Sequence, residues 1–483
     1  MENPKKDDTQ REYKETEDSR HSKFTYASFS TYNFAGSFII AAQTILLFFF
    51  YEAVIGLNIW YVFFAFLIAA IWDATNDPLI GHLIDRNTRL TKRWGRRFPW
   101  IVFGIIPWCF SLLLIYMPPK VDPQSNAIFL FIWLAFSLCL FDTFHTLIYV
   151  NIVHLRADKF RTEKERRTLA AFFTPIDILG QVGGMLVPPL ILSMGEGREI
   201  YAIMALMISV ITLIASFIFV PGTREDNVMI ERYYKREYKE LGFFGGLREN
   251  FKLKSFIVFM VVMCAFEITT GLLIGNAIYL VTFVLKGGAD MVLIVFGLFL
   301  LGAIISVPFW VWMAKKLDNN KKSFTIGGFA IVIALIPLSF FQTLIDLLIF
   351  TFILGFALGC IWTLLFPVIQ PNVLDDFVVH TKKNQKGVQV GLTTFILRLA
   401  AVIDELLIAV VHTATGFVAG YDTYEGLAGA VDNVALVLWG IRLLQGIIPM
   451  FIMLGGILIF WKFYPLTQDK VKENKRKLEE LGF

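Results

Sequence analysis

Charge is the scarcest ingredient of this 483-residue chain: Asp, Glu, Lys and Arg together make up only 17% of it. Soluble globular domains carry about a quarter charged residues, so the composition excludes an ordinary water-soluble fold. Cysteine is equally thin. Cys109, Cys139, Cys264 and Cys360 all lie in apolar runs and none forms a C-x-x-C pair. That excludes a zinc ribbon or a redox motif and leaves inert thiols in a core or against lipid. The six histidines are scattered, and H-E-x-x-H, G-x-S-x-G and Walker-type glycine loops are missing. No enzyme motif remains. The net charge of +4 says little by itself. No cofactor and no nucleic-acid partner is expected. Met1 to Lys23 is polar with no apolar h-region, so the first hydrophobic helix is expected both to target and to anchor the protein.

What is present is apolar surface: 56% hydrophobic residues, among them 48 phenylalanines. A spanning helix needs about 20 mostly apolar residues. Runs of that kind number twelve, near 28–54, 58–84, 98–118, 127–153, 168–193, 199–221, 255–285, 291–314, 323–344, 346–371, 388–419 and 433–463. The weakest division is at Asp346, between the ninth and tenth spans. Basic residues cluster in alternate loops: Arg86 to Arg97 after span two, Arg156 to Arg167 after span four, Lys315 to Lys322 after span eight and Lys382 to Lys386 after span ten. The opposite loops offer only Lys120, Arg198 and Lys286. Positive residues stay on the cytoplasmic side, which predicts both termini inside a multi-pass protein of the cell membrane.

Thr223–Lys254 is charged, Tyr-rich and long. The expected organisation is a polar segment at 1–27, a six-helix bundle at 28–222, a central loop at 223–254, a second six-helix bundle at 255–463 and a charged tail at 464–483. The tail reads as a solvated helix or a disordered stretch. Six plus six is the plan of the major facilitator superfamily, whose halves are repeats about an axis along the membrane normal. A faint repeat agrees with it: Gly81-His-Leu-Ile-Asp85-Arg86 ends span two, and Ala314-Lys-Lys-Leu-Asp318-Asn ends span eight.

An ionised side chain at a helix centre costs about 2.5–3.5 kcal/mol on insertion scales. The spans nevertheless carry Asp73, Asp77, Asp142, Asp177, Glu267, Arg398, Asp404 and Glu405. At about 1.5 Å of rise per residue, Asp73, Asp142, Asp177, Glu267 and Arg398 fall near one level, at or just inside the midplane. Asp73, Asn76 and Asp77 stand at i, i+3 and i+4, so their oxygens share one helix face. Pro78 removes the amide that would bond the Ala74 carbonyl. Hard cations take such oxygen ligands, and two carboxylates so close either share a cation or hold a proton. Asp73 and Asp77, with Asn76, are therefore the candidate site for a monovalent cation, although Asp77 could also cap the inner end of span two. Asp142, with Thr143 and Thr146, reads as a solute contact or as a helix–helix hydrogen bond. Arg398 balances acids across a cavity or makes an interhelical salt bridge. Asp404, Glu405 and His412 either line an outer vestibule or snorkel, and Asp177 with Gln181 is ambiguous. At the inner end of span two, Asp85, Arg86, Arg96 and Arg97 are expected to pair with neighbouring inner helix ends as a gate.

The run Trp72-Asp73-Ala-Thr-Asn76-Asp77-Pro78, followed by Gly81, Asp85, Trp94-Gly95-Arg96 and Pro99-Trp100, resembles the glycoside–pentoside–hexuronide cation symporters, the group of the melibiose permease. The resemblance is firmest from Phe24 to Gly184. It implies that Asp73, Asn76 and Asp77 bind sodium, lithium or a proton, that Asp142 contacts sugar hydroxyls, and that Arg398 stands where the family has a lysine. The departures fall on the solute side. Where the sugar permeases have a helix-one acid this chain has Asn33-Phe-Ala-Gly-Ser37, where they have a helix-five arginine it has Thr174, and Thr146 replaces an aromatic residue. Three galactoside contacts are missing and the cation half is intact. A second run, Pro371-Asn-Val-Leu-Asp375-Asp376-Phe377, is similar to one in the sodium-dependent lysophosphatidylcholine symporters. The leading expectation is symport of a sugar or related small polar solute with sodium or a proton, with Asp142, Arg398, Thr146 and Glu267 on the solute. The alternative is sodium-coupled symport of a lysophospholipid-like amphiphile, which needs a long apolar slot.

Overall fold

A computed structural model of the chain describes residues 21–84, 94–160, 162–225, 249–382 and 386–480. All regular structure among them is helical, as lipid requires, because a helix satisfies its own backbone groups where no water can. Twelve long helices follow in order: α1 Lys23–Phe49, α2 Ile59–Ile84, α3 Phe98–Tyr116, α4 Ala127–Lys159, α5 Glu163–Leu192, α6 Arg198–Phe219, α7 Lys254–Tyr279, α8 Ala289–Leu317, α9 Asn320–Leu335, α10 from Leu344, α11 Lys386–Thr415 and α12 from Val434. α10 continues through a π-helical stretch, Ile361–Ile369, to Gln370–Thr381, and α12 is interrupted at Gly446 between Val434–Gln445 and Ile447–Phe463. Among the described residues eleven helices are long and apolar enough to cross a membrane. The helix outside that count is α11, which carries Arg398, Asp404 and Glu405.

Local chemistry sets the helix ends. Asp346 resolves the division between spans nine and ten: it is the third residue of a capping box, its carboxylate accepting from the Thr343 amide at 2.9 Å while Thr343 Oγ1 accepts from the Asp346 amide at 3.2 Å. This is a strong start signal. Thr162 and Glu165 form the same device at α5. α1 and α7, the first helices of the two six-helix groups, both end in a π-helical turn, Phe50–Ile55 and Leu280–Val284. That is a likeness at matching places of two repeats.

Each helix turns one stripe outward. On α6, Ile203, Leu206, Met207, Val210, Ile214 and Phe217 are exposed while Ser209, Thr212 and Ser216 are buried. The pattern inverts that of a soluble helix, since lipid tails are as apolar as leucine and helices associate through small residues and close backbone approach. α8 and α10 show this at Gly302, Gly355 and Gly359. A Cβ on Gly355 would lie 2.9 Å from the Phe299 carbonyl carbon and would also meet its oxygen, and one on Gly302 would lie 3.1 Å from the Phe356 nitrogen.

The described residues pack as two compact units. Unit 1 takes the chain up to Ile45 and again from Phe64 through α6; unit 2 takes Leu46–Phe63 and everything from α7 onward. In unit 2 the tail forms a further helix, α13, Gln468–Glu480. It is neither free nor disordered, because Asn474 and Leu478 are buried and Asn474 Nδ2 donates to Asp376 Oδ1 at 2.8 Å. Ser255 Oγ donates to the other oxygen of Asp376 at 2.5 Å, so the carboxylate of the Asp375-Asp376 run ties α7, α10 and α13 together. On the outer face of α13, hydrogen bonds from Lys477 and Lys470 lower the Glu473 carboxyl to about 2.

The α8–α10 crossing is testable. Gly355→Val should lower the stability of purified protein by about 1–3 kcal/mol, the usual cost of overpacking, whereas Gly297→Ala on α8, where a Cβ meets nothing within 4 Å, should be neutral or slightly stabilising. Thermal unfolding in detergent followed by tryptophan fluorescence reads both.

Candidate functional site

In unit 1 the polar residues of α2 meet those of α4. Asp73 and Asn76 are buried, at 7% and 2% exposure. Asn76 Nδ2 donates to Asp142 Oδ2 at 3.2 Å, and Trp72 Nε1 donates to Thr143 Oγ1 at 2.9 Å. The candidate cation face on α2 is thus joined by an amide to the candidate solute acid on α4. An asparagine amide offers two donors on nitrogen and two lone pairs on oxygen, so donating to Asp142 leaves the Asn76 oxygen available to a cation. Asp77 follows one residue later on α2, but its side chain lies outside the described ones. Among the described residues no group of three or more His, Cys, Asp or Glu is arranged to hold a metal ion; the α2 set is two acids and an amide.

Thr146, one turn beyond Asp142, is fully buried and its hydroxyl has no hydrogen-bond partner among the described residues, so it sits in the packing around α4. Asp177 accepts a hydrogen bond from Ser37 Oγ on α1 and another from Gln181 Nε2 at 3.1 Å. Ser37 belongs to the stretch that departs from the sugar permeases, and here it binds α1 to α5. Gly180 on α5 makes room for that contact, since a Cβ there would lie 2.6 Å from the Phe34 carbonyl oxygen.

In unit 2, Glu267 on α7 and Arg398 on α11 are half-buried. Asp404 is buried at 8% exposure, and its carboxylate lies against Gly271, one helical turn beyond Glu267. A side chain in that notch neither snorkels nor lines a vestibule, contrary to the expectation for Asp404. His412 likewise departs from expectation: it is 1% exposed and bonded to Glu52. An open groove of about 530 Å³ runs along α7, α11 and α12, lined by Ile257, Met260, Cys264, Ile268, Ile396 and Phe451 among others, all apolar in character. Cys264 lies three residues before Glu267 and Ile396 two before Arg398.

Of the expected gate, Asp85 and Arg86 lie outside the described residues. Arg97 bonds Asp158 at 3.3 Å and His154 at 2.8 Å, both on α4. Sequence reasoning passed over the group that organises this end of unit 1. Glu225 accepts from the amides of Arg96, Arg97 and Phe98 at 3.1, 2.6 and 2.9 Å, taking three donors that the start of α3 leaves unsatisfied. Gly95 is required beside it: its φ is +93°, and a Cβ there would fall 2.5 Å from the Glu225 carboxyl carbon. Nearby, Lys159 Nζ donates to the carbonyls of Gly222 and Arg224 at 2.7 and 2.8 Å.

Comparison with known proteins matches residues 29–468 to the family described as MFS/sugar transport protein. The chain belongs to that family. It is a multi-pass membrane transporter of the major facilitator fold, and the family and its relatives are transporters rather than enzymes. The relatives include sodium-dependent lysophosphatidylcholine symporter 1-A of Danio rerio, 23% identical, with 85% of this chain and 79% of that protein covered. The Gallus gallus sodium-dependent lysophosphatidylcholine symporter 1 is 24% identical, over 88% and 83%. Inner membrane symporter YicJ of Escherichia coli (strain K12) is 23% identical, over 92% and 93%. Among solved structures, a D-xylose-proton symporter aligns with a TM-score of 0.56 at 13% identity, covering 92% of this chain and 98% of its own; at that identity the likeness is one of fold.

The Glu225 cap yields a prediction. Glu225→Ala should cost about 1 kcal/mol at the start of α3, the usual worth of a helix cap. Hydrogen–deuterium exchange of the Arg96, Arg97 and Phe98 amides should then quicken roughly fivefold while the middle of α3 is unchanged. Equal protection in the variant would remove Glu225 from this role.

Proposed function

We propose that this transporter is a cation-coupled symporter of the glycoside–pentoside–hexuronide type, working by alternating access, with Asp73, Asn76 and Asp77 taking sodium or a proton and Asp142 taking the solute. The observation that carries the proposal is the 3.2 Å bond from Asn76 to Asp142. A cation drawn to the Asn76 oxygen polarises the amide and strengthens the N–H that Asp142 accepts. Solute that engages Asp142 acts back through the same bond, and by linkage the two effects on affinity are equal. Without a cation, neighbouring carboxylates on α2 repel one another, so one takes a proton or the site distorts. The names of relatives in Danio rerio and Gallus gallus carry sodium as coupling ion, which favours sodium over a proton.

The solute in this reading is a sugar or related polar molecule, bound by Asp142 with Arg398 and Glu267 as further polar partners. One observation favours a second reading. The open apolar groove of unit 2, which includes Cys264 one helical turn from Glu267, is a slot of the kind an acyl chain needs, and lysophosphatidylcholine is named in several relatives. An amphiphile would set its polar head among the charged groups and its tail in the groove. Both readings share the cation half and the multi-pass membrane location, with the termini on the cytoplasmic side by the distribution of lysine and arginine.

Proteoliposomes with and without a sodium gradient test the coupling. Asp73→Asn should abolish gradient-driven accumulation, bringing internal solute down to the external level, while solute exchange persists. Undiminished accumulation by this variant removes Asp73 from the cation site. Cys264→Trp separates the solutes: it should reduce lysophosphatidylcholine uptake about tenfold or more if the groove holds the tail, and leave sugar uptake unchanged if the solute is a sugar.

A further inference from the structure

A group that neither reading uses is a deeply buried set of ionisable side chains in unit 2. Glu52, on the π-helical end of α1, is 1% exposed, His412 on α11 is 1% exposed and Tyr279 at the end of α7 is 0% exposed. Both partners converge on one oxygen. Tyr279 donates its hydroxyl to Glu52 Oε2 at 2.6 Å, and His412 Nδ1 lies 2.9 Å from the same atom. A carboxylate can only accept, so Nδ1 carries the proton. The Phe417 ring stacks on His412 at 4.6 Å and the Tyr279 ring meets it edge-on at 4.8 Å, which closes the bonds off from water. The backbone is held too, since the Gly420 amide donates to the Glu52 carbonyl at 2.9 Å. On the other leg of the same hairpin, Trp60 Nε1 donates to Thr413 Oγ1, next to His412, at 2.9 Å. Among the described residues no lysine or arginine forms an ion pair with Glu52, whose carboxylate rests on the His412 and Tyr279 hydrogen bonds.

The position of this cluster in the chain gives it meaning. Residues 46–63 belong by sequence to the first six-helix repeat, yet they pack as part of the unit built from the second. Alternating access in a two-repeat carrier rocks one repeat against the other. A segment of one repeat seated inside the other must therefore leave its seat in one of the two access states. We propose that Glu52, His412 and Tyr279 form a latch that holds the α1–α2 tip in unit 2 and sets the balance between those states. The latch rests on the alternating-access reading above and is independent of which solute is carried. Buried hydrogen bonds to a charged acceptor are strong enough for the task, and breaking one partner leaves the carboxylate under-satisfied in a dry site. The wide π turn at Phe50–Ile55 suits it, because such turns interrupt the regular ladder at functional places.

Release of the tip can be read without any solute and without regard to membrane orientation. In a chain freed of its four cysteines and held in lipid nanodiscs, Ala53→Cys, at a residue 1% exposed, serves as the reporter for a bulky maleimide. Tyr279→Phe, which removes one oxygen, and His412→Phe, which keeps an aromatic ring, should each speed labelling about tenfold. Glu52→Leu should speed it at least as much, and adding His412→Phe to Glu52→Leu should bring no further gain, because both bonds end on Glu52. A control cysteine at Ala303, buried in α8, should stay protected throughout. Unchanged labelling in all three single variants overturns the latch. So does parallel labelling at position 303, which would mean unfolding, and so does a multiplicative double variant, which would mean that the two residues act separately. Uptake of solute by the wild-type chain is scored apart from this: its absence would count against the transport reading and leave the labelling result to decide the latch.

Discussion

Hydrocarbon offers no hydrogen bond, and every polar group that enters it must bring its partner along. That constraint accounts for more of this molecule than any other. It makes the described chain helical, sends large apolar side chains outward, and leaves small and hydroxylated residues such as Ser209, Thr212 and Ser216 to the interior. Burial in the protein asks the same of charged residues at the helix ends, which are economically wired. Glu225 takes three amides at a helix start, Lys159 takes two carbonyls at a helix end, Asp376 joins three helices through its two oxygens, and one oxygen of Glu52 serves two donors. In each case a single side chain closes an account that irregular backbone or a helix crossing leaves open.

The helices were legible in the sequence because length and apolarity are local properties. So was the α2 face, where Asp73 and Asn76 stand within one turn and are buried together; the boundary at Asp346 was the weakest division although its capping box lies within four residues. The rest depends on distance along the chain. Glu52, Tyr279 and His412 are each more than a hundred residues apart, and each alone reads as a charge or ring near a helix end. Their meeting is fixed by how α1, α7 and α11 pack, and that packing is governed by notches such as Gly271 beneath Asp404, which no periodicity reveals. The docked tail was missed for the same reason: α13 is strongly charged, and its two inward residues, Asn474 and Leu478, are too few to mark a buried face. One signal could have found the Glu225 cap. A glycine in Trp94-Gly95-Arg96 directly before a proline-started helix calls for an acceptor to receive the free amides.

The two six-helix groups share a scaffold and diverge in chemistry. α1 and α7 both finish in π turns, yet the acids of α2 have no counterpart on α8, whose charged residues gather at its two ends. Conversely, α11 carries Arg398, Asp404, Glu405 and His412, while its counterpart α5 carries Asp177 alone at comparable depth. In the proposed reading the cation site and Asp142 lie together in the first repeat, and the second repeat carries the heavier load of charge within its spans.

How tightly the two halves of the coupling site must communicate can be bounded. Allosteric couplings run to about 1–3 kcal/mol, whereas an ordinary hydrogen bond contributes about 0.5–1.5 kcal/mol net. The 3.2 Å bond from Asn76 to Asp142 is at the long end of the usual range. Its acceptor is a carboxylate, so the bond is charge-assisted with or without a cation and worth about 1.5–3 kcal/mol. In the proposed reading that is enough to carry a coupling of the usual size, and a cation on the far side of the amide adds to it by polarising the N–H. The distance leaves room for this, since a bond at 3.2 Å can shorten as the cation binds, whereas one already short would have no such range to use.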